Sequence, residues 1–358
     1  MSIKKSTRGA LAATATLALM MSLAACSGET GGTKDAGQSG TYTAAEVAAG
    51  SGSYQVKPLF AVPKTLPEKY SLAFLNNGKS NAFFATWSQG MQDAAAFYGV
   101  DFNEADLDFK YENELTAYQG LAVKQPTVVG ANVMNSAVYD QIGKDGAKVV
   151  LIDGTFEDAP HFGVSDEGVG QTSIATLEGP AKEKIAGDWA GRTVQVVGMS
   201  FDGCPPCDAR VEASFAAAES TLGIPASQMT RLVPQGVDPS SGSQSVFNDF
   251  LTAHPNDVVI VGYAGDEPGI GVINAAKAAG RSGDVLVLTN GGDEAARAAL
   301  RDSSNAGILV GVLDYQPYAE GWNWVEAAIA TAMGKSFDEY SVERVLTAEN
   351  VDQFYPND

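Results

Sequence analysis

Histidine and cysteine are nearly missing from this chain: among 358 residues, only His161 and His254 carry an imidazole, and only Cys26, Cys204 and Cys207 a thiol. That excludes His-rich zinc sites and leaves little material for Ser-His-Asp catalysis, so no metal or cofactor is expected. Cations are short as well. The chain has 23 Lys and Arg against 43 Asp and Glu, a net charge of −20 with a pI of about 4.4. Such a field repels phosphate backbones and no basic stripe offsets it, which argues against nucleic acid as a partner. No loop has the glycine spacing of a P-loop or a Rossmann phosphate cradle. What remains is 45% hydrophobic and 18% charged, the balance of a folded soluble protein long enough for two domains.

The chain opens like an export signal. Lys4, Lys5 and Arg8 precede an apolar run over 10–21, which is too short and too early for a spanning helix within a folded protein. It ends in Leu23-Ala24-Ala25-Cys26, which resembles the lipobox of bacterial lipoproteins. The resemblance implies removal of residues 1–25 and lipidation of Cys26, placing the protein outside the cytoplasm on the cell membrane. An ordinary signal peptide with a chance cysteine is the plainer alternative. Residues 26–65 are rich in Gly, Ser, Thr and Ala and read as a flexible tether, although apolar residues over 54–62 could pack locally.

Beyond the tether, short β-rich runs alternate with helical periods. Near-continuous apolar strands are expected at 71–75, 127–131, 148–152, 194–197, 258–261, 285–288 and 308–310, the pattern of strands covered on both faces. Helices are expected over 173–190, 208–222, 269–279, 293–300 and 318–333, and Phe84, Trp87, Met91, Ala95 and Tyr98 share a helical face that ends at Gly99. Repeated β-α units predict an α/β fold of two doubly wound, Rossmann-like lobes.

Ligands of open α/β sheets sit beyond the carboxyl ends of the strands, which singles out the loops at 76–84, 132–136, 153–156, 201–210, 265–267, 290–293 and 314–318. They supply Asn81, Asn132, Asp153, Arg210, Asp266, Asn290, Asp293 and Gln316 as polar groups, with Phe83, Phe84 and Tyr315 as rings. Amides and carboxylates can pair with adjacent hydroxyls while rings cover the C–H face of a sugar. Each residue also has a structural reading. Asn81 can cap a helix, Asp153 can turn the chain before Gly154, and Asp266 and Asp293 sit where first-turn acids suit a helix dipole.

Asn81-Ala82-Phe83-Phe84 after the first strand, Lys184-Ile185-Ala186-Gly187-Asp188, Leu251-Thr252-Ala253-His254-Pro255 and Gly265-Asp266-Glu267 follow one another collinearly from about residue 70 to 335. In these motifs the chain resembles the type I periplasmic sugar-binding proteins, the ribose- and galactose-binding group that serves ABC importers. The resemblance implies a periplasmic binding protein-like hinge. The first lobe would span 66–172 plus 316–337, and the second 173–315 plus 338–358. It also implies sugar contacts at Asn81, Phe83, Phe84, Asp153 and Arg210. Gly154 stands where the family often has arginine, Gly265 replaces an asparagine, and Asn290 replaces a strand-end aspartate.

Cys204-Pro205-Pro206-Cys207 admits two readings: a local disulfide that clips the loop before Arg210, or a secreted thiol-disulfide oxidoreductase with a thiolate at a helix start. Gly291-Gly292-Asp293-Glu294 resembles a diguanylate-cyclase signature, but Ala295 replaces its phenylalanine. The expectation is a monomeric, non-enzymatic solute-binding lipoprotein that delivers a monosaccharide to an ABC permease. A nucleoside or a signalling molecule is the alternative ligand.

Overall fold

The computed structural model describes residues 40–235, 238–335, 338–340 and 343–356; the expected signal segment and Cys26 lie outside them. Two six-stranded sheets organise the molecule. The first lobe runs through α1 (Ala44–Gly50), β1 (Ser71–Asn76), α2 (Ala82–Tyr98), β2 (Asp101–Asp106), α3 (Glu114–Ala122), β3 (Val128–Ala131), α4 (Ser136–Lys144), β4 (Lys148–Ile152) and β5 (His161–Gly163). The second runs through α5 (Asp166–Ala186), β6 (Val194–Met199), α6 (Pro205–Leu222), β7 (Met229–Leu232), α7 (Pro239–Ala253), β8 (Val258–Tyr263), α8 (Asp266–Ala278), β9 (Val285–Gly291), α9 (Glu294–Arg301) and β10 (Leu309–Asp314). Then α10 (Pro317–Ala332) and β11 (Asp338–Tyr340) return to the first lobe, and β12 (Arg344–Leu346) and α11 (Val351–Phe354) to the second.

The sheet orders are β11-β5-β4-β3-β1-β2 and β12-β10-β9-β8-β6-β7. β12 lies antiparallel to β10, and the other pairs are parallel. Local chemistry sets the ends of the helices. Asn81 caps α2 by accepting from the backbone N–H groups of Phe83 and Phe84, and Gly99, with φ of 70°, ends it. Asn135, Ser165 and Asp293 cap α4, α5 and α9 in the same way.

The core of the first lobe collects Phe74, Trp87, Met91, Trp322 and Trp324 where α2 lies along α10. Two glycines make that approach possible. A Cβ on Gly90 would collide with the Tyr318 carbonyl oxygen, and one on Gly321 with that of Trp87. Among the described residues no helix is long and apolar enough to cross a membrane.

The chain departs from the expected boundaries in three places. From Thr43 onward the supposed tether is a strap on the first lobe, with Val47, Val56 and Val62 in its core. Glu326 Oε2 accepts the N–H groups of Leu59 (2.8 Å) and Phe60 (3.1 Å), Asn323 Nδ2 donates to the Lys57 carbonyl (3.0 Å), and Tyr54 stacks on Tyr318 at 3.7 Å. The apolar residues over 54–62 carried part of this signal, whereas Val47 stands among small residues that read as tether. The first crossing between lobes falls just before α5, not between residues 172 and 173, because that helix starts at Asp166 and packs along α6. Gly170, inside that helix, admits the Arg210 carbonyl and the Ser214 amide. The third crossing lies between β11 and β12, because residues 338–340 add a strand beside β5.

Candidate functional site

Both sheets present their carboxyl ends to one another across a cleft, and its buried centre is charged. Asp153 follows β4 with φ of 53°, and its Oδ1 accepts the Val164 N–H at 2.7 Å. Arg210, on the second turn of α6, donates from Nε to Asp166 Oδ1 (2.8 Å) and from Nη1 to the Tyr263 hydroxyl (3.3 Å). Its guanidinium lies 5.5 Å from the centre of the Tyr315 ring. Burial pushes the Asp153 carboxyl up to about 7, with the Arg210 charge pulling it back and Asp166 and Glu343 adding to the rise. Burial also raises Asp166, against the pull of Arg210. Burial opposes the charge of Arg210 too, yet Tyr263, Tyr315, Asp166 and Asp153 hold it well above the usual arginine value. The guanidinium stays charged.

Asp266 opens α8. Its Oδ2 accepts the N–H groups of Gly292 (2.6 Å) and Asp293 (2.8 Å), while its Oδ1 is buried without a hydrogen-bond partner. Burial, then the neighbouring Asp293, raises its pKa well above the carboxylate range. The Tyr315 hydroxyl is likewise buried and unpaired, and its pKa is raised well above the usual value by burial. Most buried polar atoms find a partner inside a protein; eight described side-chain atoms here do not, and these two are the ones beside Arg210 and Asp293.

Rings wall the centre. Phe83 lies 6.0 Å from Tyr315, 4.9 Å from Trp87 and 5.4 Å from the half-buried Phe84, and it packs against the cores of both lobes. Asn81 sits beside it. Besides capping α2, it neighbours Glu267 on the opposite lobe, whose pKa burial raises and Asn81 pulls back.

The sequence pattern of the periplasmic binding protein domain matches residues 72–336 of this chain. The chain belongs to that family. No curated protein sequence matches it, but many solved structures share its fold. The 5-methylthioribose transporter solute-binding protein of Thermotoga lettingae, in complex with 5-methylthioribose, is 18% identical, with a TM-score of 0.66 over 80% of this chain and 90% of its own. An ABC transporter periplasmic solute-binding protein of Actinobacillus succinogenes, with bound D-allose, is 17% identical, with a TM-score of 0.64 over 80% and 100%. A periplasmic sugar-binding protein of Pseudomonas fluorescens is 21% identical, with a TM-score of 0.66 over 80% and 89%.

Four of the residues expected at the site hold this periplasmic binding protein together. Asn132 accepts from Asn77 Nδ2 (2.9 Å) and donates to the carbonyls of Ile152 and Asp153 (2.9 and 3.1 Å). Asn290 donates to the Ala264 carbonyl (3.0 Å) and accepts from the Ser173 hydroxyl (3.0 Å). Asp293 caps α9 through the Ala296 N–H at 2.8 Å. Gln316 turns the chain into α10 at φ of 60°, its N–H donating to Asp314 Oδ1 at 2.8 Å. Conversely, Asp166 and Tyr263 flank Arg210 without having stood out in the sequence. Tyr263 closes an apolar strand and Asp166 opens a helix, and both positions read as ordinary. Cys204 and Cys207 form a disulfide at the start of α6, just ahead of Arg210. Among the described residues, no group of three or more His, Cys, Asp or Glu could hold a metal ion.

Proposed function

We propose that this chain is an extracytoplasmic receptor that captures a monosaccharide between its lobes and delivers it to an ABC importer, with no chemical step of its own. One observation carries the reading: two buried, unpaired polar atoms, Asp266 Oδ1 and the Tyr315 hydroxyl, lie in the same cleft as Asp153 and Arg210. Leaving such atoms unsatisfied is costly, and the adjacent hydroxyls of a sugar pair with both acceptors and donors. Phe83 and Tyr315 offer faces for its C–H surface. The similar proteins of Thermotoga lettingae and Actinobacillus succinogenes hold 5-methylthioribose and D-allose, which supports the same ligand class here.

Three crossings between lobes suit hinge closure around a ligand. The lipobox at Cys26 supplies the membrane anchor, the receptor acts as a monomer, and the disulfide is a structural clip. The test is thermal unfolding of the lipid-free protein with pentoses, hexoses, polyols and nucleosides. A ligand at about 1,000 times its Kd adds roughly 4 kcal/mol and raises Tm by several degrees. Asp266→Ala and Arg210→Ala are each expected to lose about 1–3 kcal/mol of binding. A shift for no compound in the panel would reject the sugar reading.

A further inference from the structure

The aromatic wall of the cleft does not end at Phe84. Phe109 follows β2, with its ring centre 5.9 Å from that of Phe84. Centre-to-centre steps of 5.9, 5.4 and 6.0 Å therefore link Phe109, Phe84, Phe83 and Tyr315 in one row, with Arg210 over the last ring. The sheet orders place the outer end of this row. The crossings leave from β5, β10, β11 and β12, at one side of each sheet, while β2 is the strand at the far edge of the first. The row thus runs from the deep centre to the cleft mouth, on the side away from the hinge.

Phe109 is held there against its own preferences. Asp108 and Phe109 are consecutive non-glycine residues in left-handed backbone, with φ of 49° and 57°. A bulky residue rarely occupies that region, and such strain concentrates where function uses it. The surrounding chain enforces it. The Phe109 N–H donates to the Asn77 carbonyl at 2.7 Å, and the Asp108 N–H donates to Asp106 Oδ1 at 3.0 Å. Gly78 makes room for the ring, since a Cβ there would come within 2.5 Å of Phe109 Cε2. The charged neighbours pair among themselves, Lys110 with Asp108 at 2.6 Å and Lys79 with Glu104 at 2.9 Å. The ring remains the apolar element of this rim, and the residue is 44% exposed. Packing on Phe84 alone needs neither that exposure nor that backbone.

We propose that Phe109 is the outer wall of the ligand site, and that the captured sugar carries an apolar substituent that reaches the cleft mouth. This rests on the sugar reading of the cleft and narrows it to alkylated or otherwise apolar-substituted monosaccharides. The test is isothermal titration of the lipid-free protein with D-ribose and D-allose. Each is supplied as the parent sugar, as its butyl glycoside and as the butyl ether of its terminal hydroxyl. For at least one pair the native protein should bind the butyl derivative about five- to tenfold more tightly than the parent. Phe109→Ala should abolish that preference while binding the parent within about twofold of native, with Tm confirming that it folds. Phe109→Leu should restore most of the preference.

Equal binding of parent and derivative by the native protein would overturn the proposal. So would an equal weakening of both in Phe109→Ala, which would make the ring a support for Phe84. Unchanged titrations with impaired uptake would overturn it in favour of a contact with the importer. If the native protein binds none of these compounds and none of the sugars in the thermal-unfolding panel, the sugar reading itself fails, before any variant is compared.

Discussion

Asp153 shows how far a single residue could be read in advance. Its place after a strand marked it as a cleft acid, but its left-handed backbone and its bond to the Val164 N–H depend on β5 and are invisible in sequence. Asn132 and Asn290 show the opposite limit, because an amide that ties backbone segments together has the same one-letter code as one that faces a ligand. The buried carboxyls set the pH response. Asp153 and Glu114 are each raised by burial to about 7, from ordinary values of 3.8 and 4.5. The folded protein therefore binds more protons than the unfolded chain between about pH 4 and 7, and this part of its stability falls as pH rises through that window. Asp153→Asn keeps an oxygen for the Val164 N–H and removes one titrating group. Its unfolding free energy should fall with pH less steeply than native, by about one proton, when measured by urea denaturation at pH 5, 6 and 7. Parallel slopes would mean that Asp153 is already ionised at pH 5.

Among the elements, strands buried on both faces were legible because they need unbroken apolar runs; all six residues of β8 are buried. β2 was not, since Asp-Phe-Asn-Glu-Ala-Asp at a sheet edge offers almost no apolar signal. Helix contacts were hidden for another reason. Gly90 and Gly321 look like helix-weakening residues in isolation, and their value appears only when α2 and α10 touch. Gly90→Ala gains helix propensity yet drives a methyl group into the Tyr318 carbonyl, so it should destabilise by about 1–3 kcal/mol. Calorimetry checks the sign, and a raised Tm would show that the helices separate at little cost.

At the scale of the whole molecule, the alternation of strands and helices and the collinear family motifs gave the two-lobed class. Of the lobe boundaries, the one between β10 and α10 was legible, whereas the other two escaped, because where a chain crosses is decided by pairings between distant segments such as β5 with β11. The interleaving also governs the order in which the protein can form. Trp322 and Trp324 on α10 fill the centre of the first lobe, against Phe74 and Tyr98 from the opposite end of the chain. A chain ended at Gln316 should therefore show no cooperative melting of its first lobe by tryptophan fluorescence or circular dichroism, and a sharp transition would contradict this. A polypeptide that emerges amino end first must hold that half-built core open until nearly its last residues arrive. Contacts this far apart in sequence fold late. The segment that closes the first lobe thus sets the moment at which that core can be completed.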